Sequence, residues 1–204
     1  MEVYDSEEQQ VEAIKSWWKD NGTAVIIGAV VGLGGLFGWR YYQDAEQSAR
    51  EAASQAYTTA IANIEQGNDE SLKSVNAFIE SNSETEYSVL ASLHLAKAYV
   101  ESDKKEEALK QLELAKSSTS DSALTTVITY RLARLQASMG NYDAAETQLN
   151  TIQSDSWKAN VAELRGDIAL AQNNTEAAYS AYVEAQQVNG NDPLLQMKLD
   201  DLAK

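Results

Sequence analysis

The sequence predicts an all-α protein with a single N-terminal transmembrane helix followed by a solenoid of helix pairs. Three observations carry that expectation. Six of the ten Gly residues fall from Gly22 to Gly38, five of them inside Thr23 to Trp39, a stretch without a charged side chain. The remainder is rich in Ala, Leu, Glu and Gln, with Pro193 as the only proline, a composition that favours helix throughout. Turn signals recur in that remainder at Gly67-Asn68-Asp69, Ser102-Asp103-Lys104, Gly140-Asn141-Tyr142 and Asn173-Asn174-Thr175, at intervals of 36, 37 and 33 residues from Gly67 through Asp103 and Gly140 to Asn173. A period in the mid-thirties with helix, tight turn and helix is the signature of a repeat array.

Taken in order, the first element is a short amphipathic helix. Ser6 and Gln9 have capping-box spacing, and Val11, Ile14 and Trp18 follow one helical face. It suits either a membrane surface or a partner, or it is a solvated extension of the next element.

The uncharged stretch comes second. As a helix rising 1.5 Å per residue it is about 26 Å long, close to the hydrocarbon thickness, and its flanks supply the rest. Trp17 and Trp18 precede it, and Trp39, Tyr41 and Tyr42 follow, where aromatic belts belong. A buried helix of a soluble domain is the rival reading, but six Gly would cost such a helix about 1 kcal/mol each. A cleaved signal peptide fits poorly, because six acidic residues precede the apolar run and no small-x-small pattern follows Phe37. Lys15 and Lys19 before the span, against Arg40 and Arg50 after it, lean only slightly toward an inside N-terminus. Gly28 with Gly32, and Gly34 with Gly38, have the spacing that lets a second membrane helix approach closely. The same spacing also arises simply because Gly is common in membrane helices.

The repeats are third. Ala96, Ala108, Leu112 and Ala115 have the same mutual spacing as Ala133, Ala145, Leu149 and Ile152, and as Gly166, Ala178, Tyr182 and Ala185. Small residues at such positions are what antiparallel helices need to approach within about 8 to 10 Å, with the larger ones filling the adjoining groove. These residues resemble the tetratricopeptide repeat over Val89 to Asn191, departing from its pattern at Gln136 and Ala169, where Tyr is usual. A degenerate unit is read from Ala45 to Ser81, with Tyr57, Ile61 and Ile64 on one helix and Leu72, Val75 and Phe78 on the next. Pro193, at the first helical position after Asp192, starts a closing helix carrying Leu195, Leu199 and Leu202.

Chemistry is hard to place on this chain. A net charge of −15 argues against nucleic-acid binding, which needs a basic face. With no Cys and one His, thiol catalysis, Cys-ligated metal and a His pair are absent from the menu, and no cofactor is implied. His94 reads as structural or solvent-facing, and Glu106-Glu107 and Asp200-Asp201 as solvated faces, since neighbours on a helix diverge by about 100°. A non-enzymatic binding protein is the expectation. The resemblance to tetratricopeptide domains implies that the first helix of each unit lines the binding surface. That places Leu90, Leu93 and Lys97, then Val127, Tyr130 and Arg134, then Glu163 and Asp167 on that surface, with Lys97, Arg134 and Asp167 at equivalent positions. For any one apolar member, a role in the core between repeats is an equal alternative.

The acidic N-terminal segment with Gln10-Val11-Glu12-Ala13, the Gly-rich span ending in Gly38-Trp39-Arg40-Tyr41, and the repeats with Leu132-Ala133-Arg134 and Leu164-Arg165-Gly166 are together similar to the YfgM family of ancillary SecYEG translocon subunits. The resemblance implies a bacterial inner-membrane protein with a cytoplasmic segment at 1–22, a transmembrane helix at 23–39, a periplasmic repeat domain at 40–191 and a capping helix at 192–204. It implies association with SecYEG and the membrane-anchored chaperone PpiD, transfer of secreted chains toward periplasmic chaperones, and restraint of the response regulator RcsB from the cytoplasmic side. A structural scaffold for an envelope assembly complex unrelated to secretion would use the same anchor and repeats, and is the alternative.

Overall fold

The computed structural model describes residues 7–64, 68–83, 85–190 and 192–202. Ser6 of the expected capping box and Gly67 of the first turn lie outside the described residues. Among the described residues all regular structure is helical, apart from turns. The chain divides into two compact units, Met1–Ala52 and Ala53–Lys204.

The first unit is the greater part of helix α1, Glu7–Ile64, 58 residues long and unbroken at 22/23 and at 39/40. Within this unit no described side chain packs against its central stretch. Val30, Val31 and Phe37 are 65%, 68% and 66% exposed, and a Cβ added at Gly28, Gly32, Gly34, Gly35 or Gly38 would meet open space. Trp17, Trp18, Trp39 and Tyr42 are exposed at its two ends. The helix is long and apolar enough to cross a membrane, which fits a membrane-anchored protein. The glycines that would weaken it in water are tolerated in lipid, where unpaired backbone groups are more costly still.

The second unit begins where α1 acquires a buried side chain, at Ala53. The last turns of α1 share an apolar cluster with α2 (Asp69–Ser81) and α3 (Glu86–Glu101), while α3 pairs with α4 (Lys105–Ser117), α5 (Ser122–Ser138) with α6 (Tyr142–Leu149), and α7 (Lys158–Ala171) with α8 (Thr175–Asn189). Helix α9 (Pro193–Leu202) closes the array on α8. Asp192 caps it, its carboxylate accepting the Leu194 N–H at 2.9 Å, and it buries Leu195 and Leu199.

The core is staged along the repeats. Tyr57, Ile61 and Ile64 of α1 join Leu72, Val75 and Phe78 of α2, completed by Ala91 and Leu95 of α3. Val89, Leu93 and Ala96 of α3 with Ala108 and Leu112 of α4 are completed by Ile128, Leu132 and Leu135 of α5. Ala133, Ala145 and Leu149 join Leu164 and Ile168 of α7, and Ala162, Ala178 and Tyr182 join Leu195 and Leu199 of α9. Each helix pair is thus sealed by the element that follows it, the nearest-neighbour arrangement of a solenoid. The spacing of small residues has its physical reason here, since Ala108, Ala145 and Ala178 are fully buried at the helix crossings. Ile152 packs on the third cluster from a turn beyond the end of α6.

The periodic turns share one conformation. Asp103, Gly140 and Asn173 have φ of 56°, 80° and 62°, the left-handed region that Gly, Asn and Asp tolerate best. After each, the next residue donates its N–H back across the turn: Lys104 to the Tyr99 carbonyl at 2.8 Å, Asn141 to Gln136 at 2.9 Å, and Asn174 to Ala169 at 2.9 Å. These bonds satisfy carbonyls left over at the end of the first helix of each pair.

Gly166 stands where the two earlier repeats carry Ala96 and Ala133 because the facing residue differs. Tyr182 occupies the place of Leu112 and Leu149, and a Cβ at position 166 would overlap its fully buried ring. The departures at Gln136 and Ala169 also have visible effects. Tyr99, at the equivalent position, accepts a hydrogen bond from Asn76 Nδ2 at 3.2 Å, whereas Gln136 is buried with its Oε1 unpartnered among the described residues.

Candidate binding face

Leu90, Leu93 and Lys97 are spaced three and four apart on α3, and Val127, Tyr130 and Arg134 are spaced likewise on α5. Each triplet occupies one helical stripe. Leu93 is buried, Leu90, Val127 and Tyr130 are half-buried, and Lys97 and Arg134 are exposed. The apolar members form the wall and the cations stand at its rim. Leu93 belongs to the core of its repeat as well as to this wall, while Tyr130 stacks on Trp157 with ring centroids 5.1 Å apart.

Three grooves follow one another along this face. One of about 400 Å³ runs between α3 and α5, floored by Leu93, Leu112 and Leu135 and bordered by Lys97, Arg131 and Arg134. A second, about 440 Å³, lies between the end of α1 and α3, where Ile61, Ile64 and Leu72 meet His94 and Lys97. The third, about 260 Å³, lies between α5 and α7 and brings Arg134 together with Tyr142, Leu164 and Asp167. Lys97 therefore borders two adjoining grooves, and so does Arg134.

The electrostatics change along the face. Around the groove between α3 and α5, Lys97 has only a loose exposed pair with Glu101 at 3.6 Å, which is worth little. Arg131 and Arg134 make no hydrogen bond or ion pair among the described residues. The local field is positive. The imidazole of His94 is held below its ordinary value, first by partial burial and then by Lys97 and Arg131. Burial pushes the Tyr130 hydroxyl upward.

At the other end the carboxylates are occupied. Lys198 of α9 reaches Glu163 Oε1 and Asp167 Oδ1, each at 2.7 Å, and lies 5.3 Å from the centre of the Tyr182 ring. The Tyr182 hydroxyl donates to the same Asp167 oxygen at 2.7 Å. Burial pulls the Lys198 ammonium down, but the hydrogen bonds and charges of Asp167 and Glu163 outweigh it and raise the net value. Tyr182 is raised too, by burial first and then by its bond to Asp167. Glu163 and Asp167 thus hold the closing helix, whereas Lys97 and Arg134, the counterparts of Asp167 on the preceding repeats, border open grooves.

Sequence reasoning missed Arg131 and Lys198. Arg131 was legible in principle, since it precedes Arg134 by three residues on one helix. Lys198 lies outside the repeat period and had no positional signal.

In the membrane-length stretch, an advance of 100° per residue puts Gly28, Gly32 and Gly35 on one side of α1 and Gly34 with Gly38 on another. The structure places no neighbouring side chain against either set.

A staged array of helix pairs, with a continuous grooved face, defines a tetratricopeptide-type scaffold, the class that works by holding other polypeptides. The family model described as a tetratricopeptide repeat-like domain matches residues 15–204. A solved structure, from a functional characterization of PilF from Pseudomonas aeruginosa, covers 75% of this chain and 68% of its own at 16% identity with a TM-score of 0.57, and so shares the fold. The ancillary SecYEG translocon subunit of Escherichia coli (strain K12) is 36% identical over 206 residues, covering all of both chains. That of Haemophilus influenzae is 34% identical over 198 residues, covering 96% of this chain and 97% of its own. The chain belongs to the family of ancillary SecYEG translocon subunits, the YfgM family.

Proposed function

We propose that the protein is a single-pass, non-enzymatic adaptor at the SecYEG translocon of a bacterial inner membrane. In this reading the helix around Thr23 to Trp39 anchors it, the N-terminus is cytoplasmic and the repeats are periplasmic. The observation that carries the reading is full-length similarity to relatives bearing that subunit name. The grooved face of α3, α5 and α7 supports it, since an adaptor needs a surface that holds polypeptide rather than a reaction centre. The repeats take part in passing secreted chains to the periplasmic chaperone network, with PpiD as the membrane-anchored partner. The cytoplasmic segment restrains RcsB. The glycine faces of α1 are where a membrane helix of a partner docks, because small residues let two backbones approach closely.

Capture of the tagged full-length protein from inner membranes in mild detergent tests the assignment. SecY, SecE, SecG and PpiD are the expected companions, and recovery of cell-wall or outer-membrane machinery in their place overturns it. Topology has its own test. Protease added to inverted inner-membrane vesicles, whose outer surface is the cytoplasmic face, should remove only about the first 20 residues, given the length required to span. Digestion of the whole repeat unit from the cytoplasmic face would reverse the orientation.

A further inference from the structure

Resting on the adaptor reading, we infer that the groove between α3 and α5 takes an extended polypeptide segment in which a side-chain carboxylate stands beside bulky apolar residues, the carboxylate meeting Arg131 and Arg134 and the apolar residues lying on Leu93, Leu112 and Leu135. Charge is the first support. The chain carries 31 acidic against 16 basic side chains, yet three cations border this one groove and Glu101 is the only acid that lines it. Several cations elsewhere in the repeat unit are neutralised by a carboxylate: Lys104 meets Asp69 at 3.0 Å, Lys158 meets Asp155 at 2.7 Å, and Arg165 meets Glu146 at 3.2 Å. Arg131 and Arg134 have no such partner among the described residues.

Their placement is the second support. Three apart on α5, the two arginines project from one side of the helix. A guanidinium presents its donors in a planar fork that matches a carboxylate, and two forks at the edge of an apolar floor bind it in surroundings less screened than open water. The floor specifies the rest of the ligand. Leu93, Leu112 and Leu135 present only narrow edges, and Val100, 44% exposed, adds the larger apolar surface beside them, so the groove offers an apolar bed with little to satisfy a polar side chain. An anionic lipid surface fits less well, because the net charge of −15 opposes approach to it and a lipid headgroup has no apolar part to lay in the groove.

The test uses the full-length protein in nanodiscs of zwitterionic lipid and a fluorescent peptide of about ten residues in which Glu alternates with Leu. The comparison peptide has Gln in place of every Glu. The acidic peptide is expected to bind about ten-fold more tightly at low salt, a difference of about 1.4 kcal/mol, and to lose that advantage as salt rises. The Arg131→Gln, Arg134→Gln double variant should abolish the preference, while Lys110→Gln on α4 should leave it intact. Equal affinity of wild-type protein for the two peptides overturns the inference whatever the variants do. So does arginine-dependent binding to vesicles of anionic lipid without binding of the acidic peptide. Capture of SecY by the wild-type protein reports on the adaptor reading separately: captured translocon with indistinguishable peptides sinks only the groove assignment, and absent translocon sinks the reading beneath it.

Discussion

Lys97, Arg134 and Asp167 occupy the same place in three successive repeats, and the molecule uses them differently. The first two stand over open grooves at the middle of the face, while the third is held by Lys198 and Tyr182 at the end where α9 closes the array. Equivalent sequence positions in a solenoid share backbone geometry but not neighbours. An interior repeat is sealed by another repeat, whereas the last one must be sealed by something outside the period, and here its face residues are recruited for that purpose.

The largest expected effect comes from breaking the closed end at its tightest point. Gly166→Ala drives a methyl into the Tyr182 ring, which is fully buried and tied by its hydroxyl to Asp167. It should cost about 1 to 3 kcal/mol in urea unfolding. Adding Tyr182→Leu restores the Ala and Leu pairing of the two earlier repeats and should recover part of the loss. A double variant no more stable than Gly166→Ala would show that the ring is not the obstacle.

Lys198→Met removes the cation that holds Glu163 and Asp167. The three side chains are 25%, 25% and 44% exposed, so solvent screens the pair and the expected cost is about 1 kcal/mol at neutral pH. The Lys198 value is raised in the folded state, so its contribution is present in full below the unfolded value near 10.4 and is lost as pH rises through the folded one. Unfolding curves of variant and wild type should therefore differ at pH 8 and draw together as pH rises past about 10.4 and through the raised folded value. A constant gap across that range would assign the stability to packing of the lysine stem.

His94 reports on the open end. Its lowered value means that the unfolded chain binds the proton more readily, so stability should fall as pH drops from about 7 through the unfolded value near 6.5 toward the folded one. Because the chain has one His, its NMR titration is unambiguous. The midpoint should lie below 6.5 and move upward in Arg131→Gln. A midpoint that does not move in Arg131→Gln would mean that Arg131 sets no positive field at His94.

The smallest change in stability, within about 0.5 kcal/mol, is expected from Arg134→Glu, whose head is exposed and unpaired among the described residues. Its functional effect should be the reverse of small. Capture of an acidic partner should weaken, more at low salt than at high, and undiminished capture by the folded variant at both ionic strengths would take this residue out of the site.

The fold was legible because it is periodic. Ala108, Ala145 and Ala178 recur at fixed distance from Ala96, Ala133 and Gly166, and the structure buries every one of them at a crossing. The class of protein was legible from order along the chain, an uncharged Gly-rich helix followed by repeats. The site was legible only in part. Periodicity located the face and named Lys97 and Arg134, but it treated Glu163 and Asp167 as their equals, because the residue that occupies them comes from a helix with no repeat position. Pairing across the end of an array depends on a contact of long sequence separation, and a local pattern contains no trace of it.

The shared left-handed turn at Asp103, Gly140 and Asn173 also bears on how the chain reaches its folded state. Each pair closes through three or four residues, so the contacts that first define it are local, and proteins dominated by such contacts fold quickly. A unit of this kind gathers its first contacts within its own thirty-odd residues and is sealed when the following helix arrives. Synthesis from the N-terminus delivers those units one at a time. The turn thus sets the grain of folding to one helix pair, and leaves α9, with Lys198, as the step that completes the molecule.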